Sequence, residues 1–266
     1  MEPTAQADPQ PQPLEFSKAF SSDRWLQHLK MELSRNGVNV NGMDSDAITR
    51  RHDELLAERE RQHQDRQLHA EQARSQADAA RLYKSSGVPE RHKEHLRIID
   101  ADRASWAPVF AKLHARDKGY LVALLGTRGT GKTQLAVALI HAACQRGQSA
   151  RYVKAIDLFR TIRRAYGPEP TASEDRIIDG LAGVDLLVVD ELHQRGQSEW
   201  EAHTLTNLID RRYDAMKSTL LVANLSKADF AQQIGDSVVS RIHETGAAIE
   251  LTGQSYRRPG QWEAAI

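Results

Sequence analysis

The stretch Gly126–Thr133, GTRGTGKT, decides the fold of this 266-residue chain. It matches the phosphate-binding pattern G-x-x-x-x-G-K-[ST] at every fixed position. A triphosphate needs a ring of backbone N–H groups, and a glycine-rich turn lets the main chain come that close. The helix that follows such a loop points its positive end at the phosphates. The pattern therefore predicts an ATP site formed by Gly126, Thr127, Arg128, Gly129, Thr130, Gly131, Lys132, Thr133 and Gln134.

The residues on either side of this loop supply the setting that the pattern requires. An apolar run of strand length, Tyr120–Leu125 (YLVALL), precedes it, and a segment with apolar residues at helical spacing (QLAVALIHAACQ) follows it. In such a strand–loop–helix unit, Lys132 reaches the β and γ phosphates and Thr133 holds Mg²⁺ with its hydroxyl. The sequence thus predicts ATP and Mg²⁺ as cofactors.

A second apolar strand, Asp185–Asp190 (DLLVVD), delivers two acids at its carboxyl end, where ligands bind in open α/β sheets. We expect Asp190 to hold Mg²⁺ through water. Glu191 is placed to polarise the attacking water as a general base. Asn224 ends the next predicted strand and is expected to reach the γ phosphate and that water, although Asn also suits strand ends as a turn former.

Beyond residue 120 the chain alternates strands with helices. Strands are predicted at 120–125, 150–154, 185–190, 219–225 and 247–251, with helices at 156–166, 174–182, 198–215 and, as one or two pieces, 227–244. Such alternation is typical of an α/β fold. We predict one five-stranded parallel sheet that is covered by helices on both faces.

The N-terminal third has a different pattern, and we divide the chain into residues 1–13, 14–84 and 85–266. The first range is rich in Pro and Gln and is predicted to be a disordered tail. The last range holds the α/β domain, because Gly87 and Pro89 end the helical pattern before it.

The range 14–84 is predicted to be helical. A short helix places Trp25, Leu26, Leu29 and Leu33 on one face, which either packs into a local core or docks a partner protein. From about 46 to 84 one long polar helix follows, without Gly or Pro. Its thin apolar stripe permits a coiled coil but favours a solvated spacer or a helix that pairs with a partner.

Composition restricts the cell compartment and the partners. The 36 Lys and Arg residues balance 36 Asp and Glu residues, so binding to nucleic acid would need a local basic patch. The lone Cys144 excludes an internal disulfide and favours a reducing compartment. No apolar run is long enough to span a membrane, and the N-terminal stretch lacks the layout of a secretory signal. We expect a cytoplasmic protein without membrane contact. The histidine spacings match no zinc signature.

The order GTRGTGKT, LLVVDE, LVANLS, SRIHE and GQSYR resembles the AAA+ ATPases of the DnaC/IstB family, which comprises replicative helicase loaders and helper ATPases of some transposons. The runs SGVPERH and NLIDRRYDAMKSTLLVANLS resemble the helicase-loader branch in particular. The resemblance covers roughly residues 80–258. It implies ATP hydrolysis, self-association into an oligomer and a C-terminal helical lid, which would be minimal here because few residues follow Leu251.

The resemblance also implies roles for single residues. Arg241 matches the arginine finger that reaches the γ phosphate of a neighbouring subunit and makes hydrolysis depend on assembly. Arg257 matches the family's nucleotide-sensing arginine, and Arg258 beside it leaves this assignment open by one residue. Arg211 and Arg212 could face the subunit interface or be solvated.

A DNA contact is implied for the segment after the second strand, which in the family helps line a channel for single-stranded DNA. Arg160, Arg163 and Arg164 lie at helical spacing on one face, and Lys154 precedes them. Several cations on one face suit a phosphate backbone. The alternative is an ordinary amphipathic helix with solvated arginines.

These expectations combine into three functions. The first is an ATP-dependent loader that holds a replicative helicase through residues 14–84 and grips single-stranded DNA. The second is a transposition helper ATPase that acts with a transposase on duplex DNA. The third is a nucleotide-switched adaptor with negligible hydrolysis. A small-molecule kinase is disfavoured, because no acceptor-substrate lid is evident and Glu191 suits water activation.

Overall fold

The structure is a computed structural model that describes residues 22–98, 106–116, 118–167, 172–196 and 198–252. The chain divides into two compact units between Gln72 and Ala73. This division lies inside a long helix, before the boundary at residue 85 that the sequence suggests. None of the helices in the described ranges is both long and apolar enough to cross a bilayer. The predicted tail at residues 1–13 lies outside the described residues.

The first unit contains helix α1 (Ser22–Arg35) and the first part of helix α2 (Ser45–Ser85). Leu29, Leu33 and Ile48 form a small buried core, so part of the predicted apolar face packs locally. Trp25 lies outside this core and keeps 37% of its surface exposed. From Leu56 to Asp78 the side chains of α2 are exposed, as expected for a polar helix without a packed face.

The second unit contains five strands and the helices between them. Strands β1 to β5 span Leu121–Leu125, Ala150–Lys154, Leu186–Asp190, Ser218–Val222 and Ala247–Glu250. Helices α3 to α10 span Glu90–Ile98, Ala107–His114, Lys132–Gln145, Ala155–Arg164, Glu174–Gly183, Glu199–Asp214, Lys227–Ile234 and Asp236–Thr245, and a 3₁₀ turn covers Leu192–Gln194. The helical stretch predicted at 227–244 is two helices, because Gly235 with a φ of 88° interrupts it.

The five strands form one parallel sheet in the order β2-β3-β4-β1-β5, which confirms the predicted α/β class. Strands β1, β3 and β4 are buried at every position. One apolar cluster, which includes Val122 and Leu139, covers one face, and a second, which includes Leu121 and Phe159, covers the other. Burial on both faces explains why these strands read as continuous apolar runs.

The strand order decides where the functional residues meet. Strand β4 lies between β1 and β3, so the carboxyl ends of the three strands are adjacent. The glycine loop follows β1, Asp190 ends β3, and Asn224 lies just beyond β4. Gly126 has a φ of 117°, and a Cβ there would overlap the carbonyl oxygen of Leu251 after β5. Only glycine therefore fits where the loop leaves the sheet.

Candidate nucleotide-binding site

The glycine loop is built around Lys132, the first residue of α5. Gly129 and Gly131 adopt φ values of 89° and 88°, which turn the chain sharply before the helix. Lys132 is 5% exposed, and its Nζ donates to the carbonyl oxygens of Gly126 and Thr127 at 2.9 and 2.6 Å. The structure thus places the ammonium within the loop that the sequence predicts to hold phosphates, next to the hydroxyl of Thr130 at 3.3 Å.

The two residues predicted to hold Mg²⁺ are in direct contact. The Thr133 hydroxyl donates to Asp190 Oδ2 at 2.9 Å, and the backbone N–H of Glu191 donates to Oδ1 of the same carboxylate at 2.6 Å. Asp190 is 3% exposed. A hydroxyl and a carboxylate are the hard oxygen donors that Mg²⁺ accepts. The donor set at this point of the site therefore fits that ion.

Tyr152 is a third member of this cluster that the sequence reading did not identify. Its hydroxyl donates to Asp190 Oδ2 at 2.8 Å from the neighbouring strand β2. Burial raises the pKa of Tyr152 far above its usual value, and the Asp190 charge raises it further, so the phenol stays a donor. The only signal in the sequence was its place in β2, opposite Val188, which becomes meaningful once β2 pairs with β3.

Glu191, the predicted general base, turns away from the sheet with a φ of 56°. Such a conformation is strained for a residue other than glycine and is concentrated at functional sites. Glu191 Oε2 lies 3.1 Å from Lys154 Nζ. Lys154 ends β2, where it pairs with Asp190 of β3. The structure therefore brings Lys154, which the sequence assigned to DNA contact, to the nucleotide site.

Asn224 is oriented by His193, another residue that the sequence reading did not assign to the site. The Asn224 backbone N–H donates to His193 Nδ1 at 3.3 Å, and its side-chain amide lies 3.2 Å from Nε2. Burial lowers the pKa of His193, and the charge of Arg128 lowers it further, although Glu191 and Asp190 oppose this. The imidazole is therefore neutral near pH 7 and can accept the backbone proton.

Gln134 lies on the first turn of α5, and its amide is 3.0 Å from His92 Nδ1 on α3. Burial lowers the pKa of His92, with Asp190 acting in the opposite direction. Helix α3 thus forms a wall beside the loop. The loop residues Thr127, Arg128 and Gly129 lie between β1 and α5, as the pattern requires.

Arg241, the predicted arginine finger, lies on α10 and is held by its own subunit. Its guanidinium contacts Asp210 at 3.0 Å and the Ser237 carbonyl at 3.0 Å, and it lies over the ring of Tyr213 at 5.4 Å from the centroid. The Ser237 hydroxyl is a further partner. The Arg241 side chain remains 25% exposed, so a second copy of the chain could reach it.

Arg211 and Arg212 differ in how exposed their side chains are. Arg211 forms an exposed ion pair with Asp179 at 2.6 Å. Arg212 is fully buried, so both alternatives suggested by the sequence, an interface position or a solvated one, are wrong for this residue. Burial lowers the pKa of Arg212 to about 10. Its guanidinium donates to the carbonyls of Leu181, Ala182, Val184 and Ser218 and to the hydroxyl of Thr219.

Arg257 and Arg258 lie outside the described residues. The remaining predicted DNA contacts, Arg160, Arg163 and Arg164, are exposed on one face of α6. Arg160 lies 3.7 Å from Asp157, and Arg163 donates to Glu201 at 2.7 Å. The predicted basic face is thus present on α6, and two of its three arginines contact acidic side chains.

Three relatives with curated names resemble the chain. It is 28% identical over 169 residues to the replicative helicase loader DnaC of Buchnera aphidicola subsp. Baizongia pistaciae, covering 63% of this chain and 66% of the relative. The DnaC of Escherichia coli strain K12 is 28% identical over 117 residues, covering 44% and 47%. A putative insertion sequence ATP-binding protein of Sinorhizobium fredii is 30% identical over 142 residues, covering 52% and 56%.

The matched segments span between about half and two thirds of these relatives' lengths. A crystal structure of the DnaC helicase loader aligns with a TM-score of 0.49 at 23% identity, covering 58% of this chain and 92% of that one. The family model of IstB-like ATP binding proteins matches residues 52–264. This match includes the glycine loop, the acidic strand end and all five strands, and it confirms the family resemblance. The chain belongs to the family of IstB-like ATP binding proteins.

Proposed function

We propose that this protein is an ATP-dependent loader that places a replicative helicase on single-stranded DNA. The observation that supports the ATP-dependent part is the 2.9 Å contact between Thr133 and Asp190 beside the Lys132 loop. It joins the two halves of a nucleotide site across 57 residues of sequence. The loader part is supported by the relatives that carry the name replicative helicase loader.

In this proposal each side chain of the site has one task. Lys132 and the loop N–H groups bind the β and γ phosphates. Thr133 and Asp190 would hold Mg²⁺, which would neutralise charge on those phosphates. Glu191 accepts a proton from the attacking water once Lys154 moves away from it. Asn224 orients that water from β4.

Assembly completes the site. Arg241 leaves Asp210 and supplies its charge to the γ phosphate in a neighbouring subunit, so hydrolysis requires at least two copies. The partner surface is the first unit, where Trp25 and Met31 are exposed at 37% and 57%. Large apolar side chains of this kind are common anchors of protein interfaces.

A pull-down with the replicative helicase of the same organism tests the loader proposal. The double variant Trp25→Ala and Met31→Ala should lose helicase binding while it still binds ATP. Met216→Ala is the matched control, because Met216 is similarly exposed at 61% but lies in the second unit. Equal capture of all three proteins would contradict the assignment of the partner surface, and no capture of the parent would contradict the loader function.

A second candidate is a helper ATPase of transposition. The named insertion sequence relative and the family model both favour it. A helper of this kind should bind duplex DNA more tightly than single-stranded DNA, with a strong dependence on salt. Comparing the two affinities at several salt concentrations separates the candidates.

A third candidate is a nucleotide-switched adaptor with negligible turnover. The Lys154–Glu191 ion pair favours this candidate, because Lys154 engages the carboxylate that would otherwise act as the general base. Hydrolysis that stays at the level of the Glu191→Gln variant, even with DNA and helicase present, would support the adaptor.

A further inference from the structure

A cavity lies in the second unit between α6, the 3₁₀ turn after β3 and the start of α8. Its volume is about 580 Å³, within the ~300–1,000 Å³ range of small-molecule sites. The residues that matter for its chemistry are Arg160, Arg163, Arg164, Arg195, Gly196 and Glu201. None of them belongs to the glycine loop or to the acidic strand end.

Glu201 presents an unused acceptor to this cavity. The residue is 3% exposed, its Oε1 accepts from Arg163 at 2.7 Å, and its Oε2 is buried without a hydrogen-bond partner among the described residues. The pattern Ser198-x-x-Glu201 resembles a capping box, but only the Ser198 hydroxyl serves the helix, by accepting from the Glu201 N–H at 3.3 Å. Helix capping therefore does not account for the buried carboxylate.

The backbone at Gly196 lies close to this carboxylate. A Cβ at position 196 would lie 3.2 Å from Oε1 and 3.3 Å from Oε2 of Glu201. Any side chain at position 196 would thus press on the carboxylate. Glycine at position 196 avoids this contact.

Arg195 presents the complementary group. It is 8% exposed, and its Nη2 donates to the carbonyl of Gln233. Its Nη1 is buried and lacks a partner in the described part of the chain. One wall of the cavity therefore carries a buried donor and a buried acceptor, both of which are costly to leave unpaired.

The mouth of the cavity is cationic. Arg160, Arg163 and Arg164 are exposed there, and the Arg163 guanidinium lies 5.2 Å from the ring centroid of Trp200. Guanidinium groups bind phosphates, but Glu201 Oε2 inside the cavity needs a donor, which an ionised phosphate lacks. The part of the ligand inside the cavity should therefore be neutral, and the part at the mouth should be anionic. The Watson–Crick edge of each nucleobase carries both a donor and an acceptor, and the sugar–phosphate backbone of the strand carries the anionic phosphates.

We propose that this cavity receives one base of single-stranded DNA, whose edge donates to Glu201 Oε2 and accepts from Arg195 Nη1, while the three arginines at the mouth hold the adjacent phosphates. The inference rests on the proposed grip on single-stranded DNA and adds a base contact to it. Binding then depends on the bases as well as on charge.

The test measures fluorescence anisotropy of the full-length protein with ATP on two labelled strands of equal length and charge. One is oligothymidylate and the other has the same backbone with abasic sites throughout. We expect the parent to bind the intact strand about tenfold more tightly, because a well-placed pair of base contacts has about that effect. Equal affinities would overturn the base site, and no binding to either strand would overturn both it and the proposed DNA grip.

Three variants locate the effect. Glu201→Gln keeps the acceptor for Arg163 but replaces the carboxylate oxygen at the cavity with a donor, so the preference for the intact strand should disappear. Arg160→Gln should keep that preference and reduce the salt dependence by about one phosphate contact. Gly196→Ala should remove the preference as Glu201→Gln does. If Glu201→Gln does not fold, Gly196→Ala still allows the two strands to be compared. Retention of the preference in either cavity variant would overturn the assignment.

Discussion

Lys154 Nζ and Glu191 Oε2 lie 3.1 Å apart at the carboxyl ends of two paired strands, so the predicted general base is ion-paired within its own subunit. Both side chains are partly exposed, at 37% and 29%, and an ion pair of this type contributes at most ~1 kcal/mol. Lys154→Gln should therefore raise basal ATP hydrolysis by up to about fivefold. A steady-state phosphate-release assay measures this, with Lys112→Gln as a control.

The same variant discriminates between the two roles of Lys154. If Lys154 contacts DNA, as its position before the α6 arginines suggested, the affinity for single-stranded DNA falls and basal hydrolysis stays unchanged. An increase in hydrolysis with unchanged affinity supports the ion pair as a restraint on Glu191.

The Thr133 hydroxyl is expected to be essential for Mg²⁺-dependent nucleotide binding, because it touches Asp190 and is the predicted metal donor. Thr133→Ala should weaken ATP binding with Mg²⁺ by about tenfold or more, which corresponds to one lost charge-assisted contact. Thr133→Ser, which keeps the hydroxyl, should bind nearly as the parent does. Titration calorimetry with Mg²⁺ and then with EDTA checks this, and an equal loss in EDTA would show that the hydroxyl serves the phosphates alone.

Mixing two inactive variants tests whether Arg241 acts across an interface. Arg241→Ala retains Glu191, and Glu191→Gln retains Arg241, so each alone should lose hydrolysis by a factor of about a thousand or more. In a mixed assembly some sites combine Glu191 of one copy with Arg241 of the next. Hydrolysis should recover on mixing, and a mixture that stays inactive would contradict a role in trans.

Arg212 should be critical for folding rather than for catalysis. Arg212→Met removes the donor from four carbonyls and one hydroxyl and leaves them around a fully buried side chain, so we expect a loss of at least ~3 kcal/mol in the free energy of unfolding. Arg211→Met removes only exposed contacts, to Asp175, Asp179 and Asn207, and should change the free energy of unfolding by less than ~1 kcal/mol. Urea unfolding followed by circular dichroism compares the two neighbours, and similar losses would contradict the structural role.

Three partly buried histidines predict how the free energy of unfolding depends on pH. Burial lowers the pKa values of His92, His141 and His193 below 6.5, so the folded state binds these protons less readily than the unfolded state. The neutral histidines therefore stabilise the folded state fully above pH 6.5. This contribution to the free energy of unfolding is lost as the pH falls from the pKa of the unfolded state toward the lower pKa of the folded state. His141→Gln should make the urea midpoint less sensitive to acid. An unchanged pH profile would contradict this.

Local patterns were sufficient for much of the site. The glycines, Lys132 and Thr133 are contiguous, and Asp190 and Glu191 end an apolar strand, so hydrophobic runs and turn chemistry reveal them without knowledge of the fold. The parallel sheet also follows from the sequence, because strands buried on both faces must read as continuous apolar runs. The helix break at Gly235 was left open, since it depends on one backbone conformation.

Contacts between distant segments could not be read in this way. Tyr152, His193 and Lys154 become part of the nucleotide site only because β2 pairs with β3 and β3 with β4. Arg212 is adjacent to Arg211 in sequence, yet one is fully buried and the other is exposed, because successive helix positions face different directions.

The sequence by itself determined that this chain has a phosphate-binding loop, an acidic strand end and a parallel sheet. Each depends on the order of neighbouring residues, which a single strand, turn or helix expresses locally. Only the tertiary structure decided which side chains complete the site, where Arg241 is held and that Glu201 and Arg195 face one cavity. Those outcomes depend on strand order and helix packing, which join residues that the chain itself keeps far apart.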